Sequence, residues 1–219
     1  FTWNNSWSNG YNRRTSWKVS DENKTRQFRI TAYLIGFGLS DEAIAGFLGN
    51  WEVETTDFNP MKVQTPRKRS PYTYEECLQY TQEADNGQPS SLYKKEFVND
   101  KVGYGLAQWT FPTRKEQLRK IAKELNGSVG DLEVQLYFVN WELTKKSKGA
   151  DGKMTDSTHM IKKSLNKCGT VEEAAKLISA KYECQDDKSE AAIAKRVNAA
   201  EKYFCYVKLV RASIQWINS

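Results

Sequence analysis

An acidic residue on the apolar side of a predicted helix constrains this chain more than any other feature. The apolar side consists of residues spaced three, one and three positions apart: Ile44, Phe47, Leu48 and Trp51. Glu54 lies three positions after Trp51, and about 3.6 residues per turn directs its carboxyl group to the same side. Apolar burial and the nearby helix C-terminus both disfavour the charged form. We therefore expect Glu54 to keep a proton that it can donate at neutral pH.

A second interpretation of Glu54 is structural. The residues that follow it are typical of a turn: Thr55, Thr56, Asp57 and the pair Asn59-Pro60. An acid at such a place is often a capping or turn residue. Glu52, about 200° away around the helix, is expected to face another direction and to be solvated. Periodicity alone leaves both interpretations of Glu54 open.

Four segments in a fixed order resemble a known enzyme family. They are EAIAGFLGNWEVETTDFNP at 42–60, GYGLAQWTFP at 103–112, LEVQLYFVNWEL at 132–143 and YECQDDKSEAAIAKRVNAAEKYF at 182–204. The glycine–aromatic–glycine–Leu–x–Gln block at 103–108 is similar to the one that accompanies a catalytic glutamate in the lysozyme superfamily. Together the segments, covering about 40–206, resemble the bacteriophage tail lysozymes, enzymes that help a phage cut through peptidoglycan.

The resemblance implies a catalytic role for Glu54. The family places its catalytic glutamate at this position, usually followed by Ser or Thr, and Thr55 fits. Thr56 and Asp57 stand where a small residue and an apolar residue are more usual. The implied fold is mainly α, an α+β lysozyme-like domain with a small β or loop element beside the active-site cleft.

The predicted elements agree with a mainly helical domain. Caps and periodicity predict eight helices. One carries Glu54 and starts after the cap Ser40, and another starts at the Thr73/Glu76 capping box and ends near 84. The others are predicted at about 21–35, 113–125, 130–146, 157–167, 170–183 and 189–205. Residues 85–103 are expected to form a loop with a short turn or hairpin. We expect an arm or linker and the start of the first helix at 1–30, a catalytic domain at 31–206 and an extension at 207–219.

The implied reaction is cleavage of the β-1,4 bond between N-acetylmuramic acid and N-acetylglucosamine. Glu54 would protonate the leaving oxygen. An inverting hydrolase also needs a second carboxylate about 6.5–9.5 Å away that activates water. Asp100, shortly before the 103–110 block, is the predicted second carboxylate and Asp57 its rival, although either acid also fits a turn. A lytic transglycosylase needs no second acid, because a hydroxyl of the sugar attacks.

Three residues of the 103–110 block are predicted to bind substrate. Tyr104 and Trp109 offer aromatic faces for sugar rings, and the Gln108 amide can bond a sugar hydroxyl or amide. The alternative is that Leu106 and Trp109, three residues apart on one turn, belong to the core.

The net charge of +6 and the pI near 9.0 favour an anionic partner. Anionic polymers of the bacterial cell wall are expected besides the peptidoglycan substrate. The densest basic clusters are Arg67–Arg69 and Lys145, Lys146 and Lys148, which are also typical of solvated loops. A nucleic-acid-binding motif and a basic helix face are missing, so nucleic acid is not expected as a partner.

The remaining sequence features limit the possible chemistry and location. The single His159 lacks triad partners, the four cysteines form no CxxC pair, and no phosphate-binding loop occurs, so neither metal nor cofactor is expected. No run of about 18 apolar residues predicts a membrane span. The polar start at Phe1, without a signal-peptide pattern, suggests a piece of a larger phage tail protein or lysin. It would act in the virion or at the cell wall.

Two rival classes remain open from the sequence. One is a non-catalytic wall-binding or tail-tip structural module that has kept a lysozyme-like shape, which the departures at Thr56 and Asp57 favour. The other is a nucleic-acid-binding protein, which charge and aromatic content suggest and which the missing motif and missing basic helix face disfavour.

Overall fold

The computed structural model describes residues 19–144, 146–148, 154–156, 162–183 and 189–217. The eight α-helices of this part are α1 Val19–Gly36, α2 Asp41–Thr55, α3 Tyr74–Asp85, α4 Pro112–Glu124, α5 Leu132–Thr144, α6 Lys162–Leu165, α7 Val171–Leu177 and α8 Glu190–Ile217. A π-helical segment, Ile178–Tyr182, continues α7. The predicted arm up to residue 18, together with Lys145 and His159, lies outside the described residues.

The mainly α prediction is confirmed, and the predicted caps account for two helix starts. Ser40 is the N-cap of α2 and accepts a hydrogen bond from the Ala43 amide at 3.2 Å. Thr73 and Glu76 form the predicted capping box of α3. The last helix differs, since α8 extends to Ile217 rather than ending near 205. It therefore runs without a break through the expected domain limit at 206, and the domain division stays a prediction.

The described β-structure is small. Strands β1 Lys146–Lys148 and β2 Met154–Asp156 pair antiparallel, with Ser147 opposite Thr155. Isolated bridges join Val63 to Tyr104 and Pro89 to Glu96. The second bridge lies within the predicted loop at 85–103. The expected β element beside the cleft stays a prediction.

Helix α2 is buried and packs chiefly on α8 and α7. The close approach depends on two glycines. A Cβ at Gly49 would lie 2.3 Å from the Ala200 backbone nitrogen of α8, and a Cβ at Gly46 would lie 2.9 Å from the Ile178 Cδ1 atom. Because only a hydrogen fits at these points, the glycines fix the position of α2 and of the Glu54 carboxyl group at its end.

In the part of the chain that the structure describes, none of the helices combines the length and the apolar character needed to cross a lipid bilayer.

Candidate active site

Glu54 lies in the last turn of α2, at the end of the predicted apolar stripe. The stripe is confirmed, because all four of its residues are fully buried. The surroundings of the carboxyl group differ from the expectation of apolar neighbours alone. Arg196 Nη2, from α8, donates to Glu54 Oε1 at 2.6 Å. The Glu54 side chain is 18% exposed and that of Arg196 is 8% exposed, so the carboxyl group lies at the surface with a buried cation behind it.

The chain turns sharply after Glu54. Thr55 Oγ1 donates to the Trp51 carbonyl oxygen at 2.8 Å and accepts from the Phe58 amide at 3.0 Å. Thr56 and Phe58 adopt left-handed backbone conformations, with φ of 64° and 54°. Such conformations are costly for side chains of these kinds and concentrate at functional sites. The turn therefore holds the end of α2 in one defined geometry.

Asp57 has the role of a turn residue. Its Oδ1 atom accepts a hydrogen bond from the Asn59 amide at 3.1 Å, two residues further on. Its carbonyl oxygen accepts from Arg26 Nε of α1 at 3.0 Å. The first contact is that of an Asx turn, and the second ties the turn to α1.

Glu183 is a second carboxyl group near Glu54. It follows the π-helical segment directly, and its Oε1 atom accepts a hydrogen bond from the Trp51 indole Nε1 at 3.1 Å. Burial raises the pKa of Glu183 to about 8, with the charge of Arg114 opposing the rise and the charge of Glu54 adding to it. Glu183 is therefore protonated in a large fraction of molecules at neutral pH.

A buried ionic network lies beside Glu183. Glu142 of α5 accepts from Arg114 Nε at 2.6 Å and from Arg114 Nη2 at 2.8 Å. It also accepts from the Tyr182 hydroxyl at 2.6 Å and from Trp109 Nε1 at 3.3 Å. Arg114 Nη1 donates to the Tyr182 carbonyl oxygen at 3.2 Å. The network joins α4 and α5 to the π-helical segment that directly precedes Glu183.

Asp100, the predicted second carboxylate, forms a buried ion pair. Its side chain and that of Lys115 are both 0% exposed, and Lys115 Nζ donates to Asp100 Oδ1 at 2.6 Å. The Val102 amide donates to the same oxygen at 2.9 Å, and the Tyr80 hydroxyl donates to Oδ2. Burial lowers the pKa of Lys115 to about 8, although hydrogen bonding and the charge of Asp100 oppose this. Donors thus occupy both oxygens of Asp100, an arrangement that suits a structural role better than activation of water.

The predicted substrate-binding residues are mostly inside the core. Tyr104 is fully buried, with its hydroxyl 2.7 Å from Thr81 Oγ1 and its ring centroid 5.2 Å from that of Phe97. Trp109 is also fully buried and packs on Phe138 with centroids 5.2 Å apart. This geometry agrees with the core interpretation of Trp109 that the sequence left open.

Gln108 is the partly exposed member of the predicted set. Its backbone φ is 45°, and its Nε2 atom donates to the Gly105 carbonyl oxygen at 2.9 Å. Gln135 of α5 holds the same block, since its Oε1 atom accepts from the Leu106 amide at 3.0 Å. The 103–110 block is therefore a scaffold packed on α5, and only Gln108 of the three predicted residues has a side chain open to solvent.

Sequence reasoning missed Arg196 and Glu183. Both lie in the 182–204 segment that carried the resemblance. Arg196 interrupts an apolar stripe on α8 in the same way that Glu54 interrupts the stripe on α2: its neighbours there include Val197, Ala200 and Val207, all buried. A basic residue on an apolar stripe was therefore the sequence feature from which Arg196 could have been predicted as a site residue. No comparable pattern marks Glu183.

The mainly helical fold agrees with a lysozyme-like protein. The family model described as phage tail lysozyme matches residues 25–207, which is most of the 219-residue chain. The chain belongs to this family, and the match also includes the larger part of α1. A search of curated proteins gave no match. Membership gives the chain a lysozyme-like role in the cleavage of peptidoglycan, in the virion or at the bacterial cell wall.

Proposed function

We propose that the protein is a muramidase that cleaves the β-1,4 bond between N-acetylmuramic acid and N-acetylglucosamine, with Glu54 as the general acid. One observation carries the proposal. The Glu54 carboxyl group is partly exposed at the end of a helix whose residues from Ala43 to Trp51 are all buried. The sequence resemblance, which assigns the family's catalytic glutamate to this position, also supports the proposal. A carboxyl group so placed is reachable by a glycan and held by rigid packing.

The chemistry requires a proton for the leaving oxygen of the glycosidic bond. Protonated Glu54 donates it as the bond between that oxygen and the anomeric carbon breaks. Water adds to the anomeric carbon, and the proton that this water loses replaces the one donated. The Glu54 carboxylate formed in between is stabilised by the Arg196 guanidinium, which contacts Oε1 at 2.6 Å. The ion pair forms between side chains that are largely shielded from solvent, where charge interactions are stronger than in water. Arg196 thus favours the state that proton transfer produces.

Neither Asp100 nor Asp57 acts as the second catalytic carboxylate in this proposal, in contrast to the sequence prediction. The buried ion pair of Asp100 and the turn bonds of Asp57 support structural roles for both residues. In this proposal Gln108 stays a substrate contact, whereas Tyr104 and Trp109 shape the site from inside the core. The 31–206 domain is proposed as the catalytic unit of a phage tail protein or lysin.

A lytic transglycosylase is the second candidate, and the enclosed position of Asp100 favours it. This reaction needs no second carboxylate, because a hydroxyl of the muramic acid attacks its own anomeric carbon. Mass spectrometry of the released fragments separates the two reactions. Free reducing ends with inverted anomeric configuration support a hydrolase with a water-activating base, and anhydro-muramic products support the transglycosylase.

Substitution of the proposed acid tests the function. The assay follows the rate at which a suspension of purified peptidoglycan loses turbidity. We expect Glu54→Gln to slow this rate by about 10²–10⁴-fold, because Gln keeps the shape of the side chain but has no proton to donate. Glu52→Gln is the matched control, since it removes a carboxyl group two residues away on α2.

Both variants must have the same unfolding temperature as the wild type, so that a change in activity reflects the chemistry and not the stability. Activity of Glu54→Gln within about tenfold of wild type would show that Glu54 is not the acid. Wild-type protein that binds walls without cleaving them would support the non-catalytic module instead.

A further inference from the structure

We propose that Phe111 is a sugar-binding residue, whose exposed ring stacks on a pyranose ring of the glycan strand next to Gln108. The inference deepens the proposed function and rests on it, because Gln108 is a substrate contact only if the protein cleaves peptidoglycan. Phe111 supplies the aromatic face that the sequence predicted from Tyr104 and Trp109, both of which are buried.

Phe111 combines an apolar ring with a position open to solvent. It is 58% exposed, whereas Trp109, two residues earlier, is fully buried. A single exposed apolar residue is common on protein surfaces, so exposure alone does not mark a binding residue. The place of Phe111 in the chain does, because the ring stands at a helix start that favours a different kind of side chain.

The start of α4 has the backbone of a capped helix but lacks the capping side chain. Phe111 is its N-cap, with φ of −71° and ψ of 133°, and makes no capping hydrogen bond through its side chain. Ser40 and Thr73 have the same extended conformation at the starts of α2 and α3, and their side chains do cap. Phe111 therefore forgoes stability that a serine would provide, as residues kept for function often do.

The segment that carries Phe111 is attached at its beginning to the chain that follows Glu54. Gln108 Nε2 donates to the carbonyl oxygen of Lys62 at 3.3 Å, and Lys62 comes shortly after the turn that ends α2. Thr110 Oγ1 donates to the Gln108 carbonyl oxygen at 3.0 Å. Gln108 itself has a φ of 45°, a backbone conformation that concentrates at functional sites. These bonds give the chain between Gln108 and Phe111 a defined geometry.

The end of the same segment is attached to α2 itself. Arg114, in the first turn of α4, donates to the Tyr182 carbonyl oxygen at 3.2 Å. The next residue, Glu183, accepts from the Trp51 indole at 3.1 Å, and Trp51 lies one turn before the proposed acid. The two attachments hold the segment against the end of α2, so its exposed ring lies on the part of the surface where a bound glycan meets the acid.

A phenyl ring and an amide suit two different parts of a pyranose ring. The C–H groups on a face of the sugar are apolar and pack on an aromatic face. The hydroxyl and acetamido groups point outward from the rim, where the Gln108 amide can donate and accept hydrogen bonds. Phe111 therefore binds the face of a sugar, and Gln108 orients its rim.

Binding without turnover tests this subsite. Glu54→Gln is the parent protein, and the probe is a peptide-free tetrasaccharide of alternating N-acetylglucosamine and N-acetylmuramic acid. We expect the additional change Phe111→Ala to weaken binding by about tenfold, measured by calorimetry, because the sugar loses the apolar surface that it covers. Phe111→Tyr keeps the ring and should bind within about twofold of the parent. Phe28→Ala removes a ring of similar exposure, 49%, from α1 and should leave binding unchanged.

A capping substitution separates a substrate contact from a packing residue. Phe111→Ser places a capping side chain on the same backbone, so we expect the unfolding temperature to rise by about 2–4 °C. Binding of the tetrasaccharide should weaken as in Phe111→Ala. A lower unfolding temperature in Phe111→Ser would overturn the proposal, because it would show that the ring supports the fold.

The remaining outcomes also decide the case. Binding by Phe111→Ala within about twofold of the parent overturns the proposal, and so does a parent protein that does not bind the tetrasaccharide. In the active protein, Phe111→Ala should raise KM for soluble peptidoglycan fragments by a similar factor and change kcat less. Activity retained by Glu54→Gln would instead contradict the proposed acid and leave the binding results intact, so the two failures can be told apart.

Discussion

At the scale of single residues, Asp100 and Lys115 show how a buried ion pair can stand where a catalytic acid was expected. Removing one partner of such a pair leaves an uncompensated buried charge, which typically costs about 3–5 kcal/mol of unfolding free energy. Replacing both partners by groups of similar volume is far less costly. If Asp100 is structural, replacing it together with Lys115 should therefore be tolerated better than replacing it alone. If Asp100 is catalytic, activity should stay lost in both variants.

We therefore expect Asp100→Asn to lower the free energy of unfolding by about 3 kcal/mol, measured by urea denaturation. The double variant Asp100→Asn/Lys115→Met should recover part of this loss, because the charge left without a partner is removed. If Asp100 is structural, activity on peptidoglycan should recover with stability. A stable double variant that stays inactive would contradict the structural role and restore Asp100 as the base that activates water.

The sequence predicted Glu54 because its evidence is local. An acid on an apolar stripe is visible within a single helix, and so is its alternative as a turn residue. Arg196 lies 142 residues away and meets Glu54 only after α2 and α8 pack. Likewise, an aromatic residue such as Tyr104 suits both a sugar-binding groove and a core, and only tertiary packing decides between them.

At the scale of the elements, the contact of α2 with α8 positions the acid. A Cβ at Gly49 would lie 2.3 Å from the Ala200 backbone nitrogen and 2.5 Å from its Cα atom. Backbone atoms cannot rotate away as a side chain does, so the helices themselves would have to separate. Separation would also draw Arg196 of α8 away from Glu54.

We expect Gly49→Ala to reduce the free energy of unfolding by about 1–3 kcal/mol or more, the usual cost of overpacking. Its activity should fall as well, because the Arg196–Glu54 contact depends on the same interface. Gly36→Ala is the control, since a Cβ there meets nothing within 4 Å. Urea unfolding of both variants gives the comparison. A Gly49→Ala protein as stable as Gly36→Ala would contradict the close packing.

The helix starts could be predicted better than the helix ends and irregular turns. Ser40, Thr73 and Glu76 cap their helices through bonds within a few residues, so the pattern is contained in the local sequence. The extension of α8 to Ile217 depends on packing of its later turns, where Val207 and Val210 are buried. The π-helical segment at 178–182 was predicted as ordinary helix, because its hydrogen-bond pattern has no distinct residue signature.

At the scale of the whole molecule, the net charge of +6 bears on solubility and on association with anionic partners rather than on the fold. Arg67 and Lys68 lie on an exposed loop before α3. Arg69 has a local role, since it pairs with Glu76 and stacks over Tyr72 at 4.2 Å from the ring centroid. Arg67 and Lys68 are thus the residues of this loop that are best placed to attract anionic wall polymers.

We expect higher salt to weaken binding to intact cell walls far more than it slows cleavage of short neutral glycan fragments. Interactions with wall anions are screened beyond about 8–10 Å at physiological ionic strength, whereas contacts in the site are shorter. Co-sedimentation with walls at low and high salt measures the first effect, and fragment turnover measures the second. Arg67→Gln/Lys68→Gln should lose much of the salt dependence. Lys94→Gln/Lys95→Gln, which removes the same charge from another exposed loop, should lose less. Wall binding that stays constant from low to high salt would show that charge plays no part in targeting, and that contacts in the site alone hold the protein on the wall.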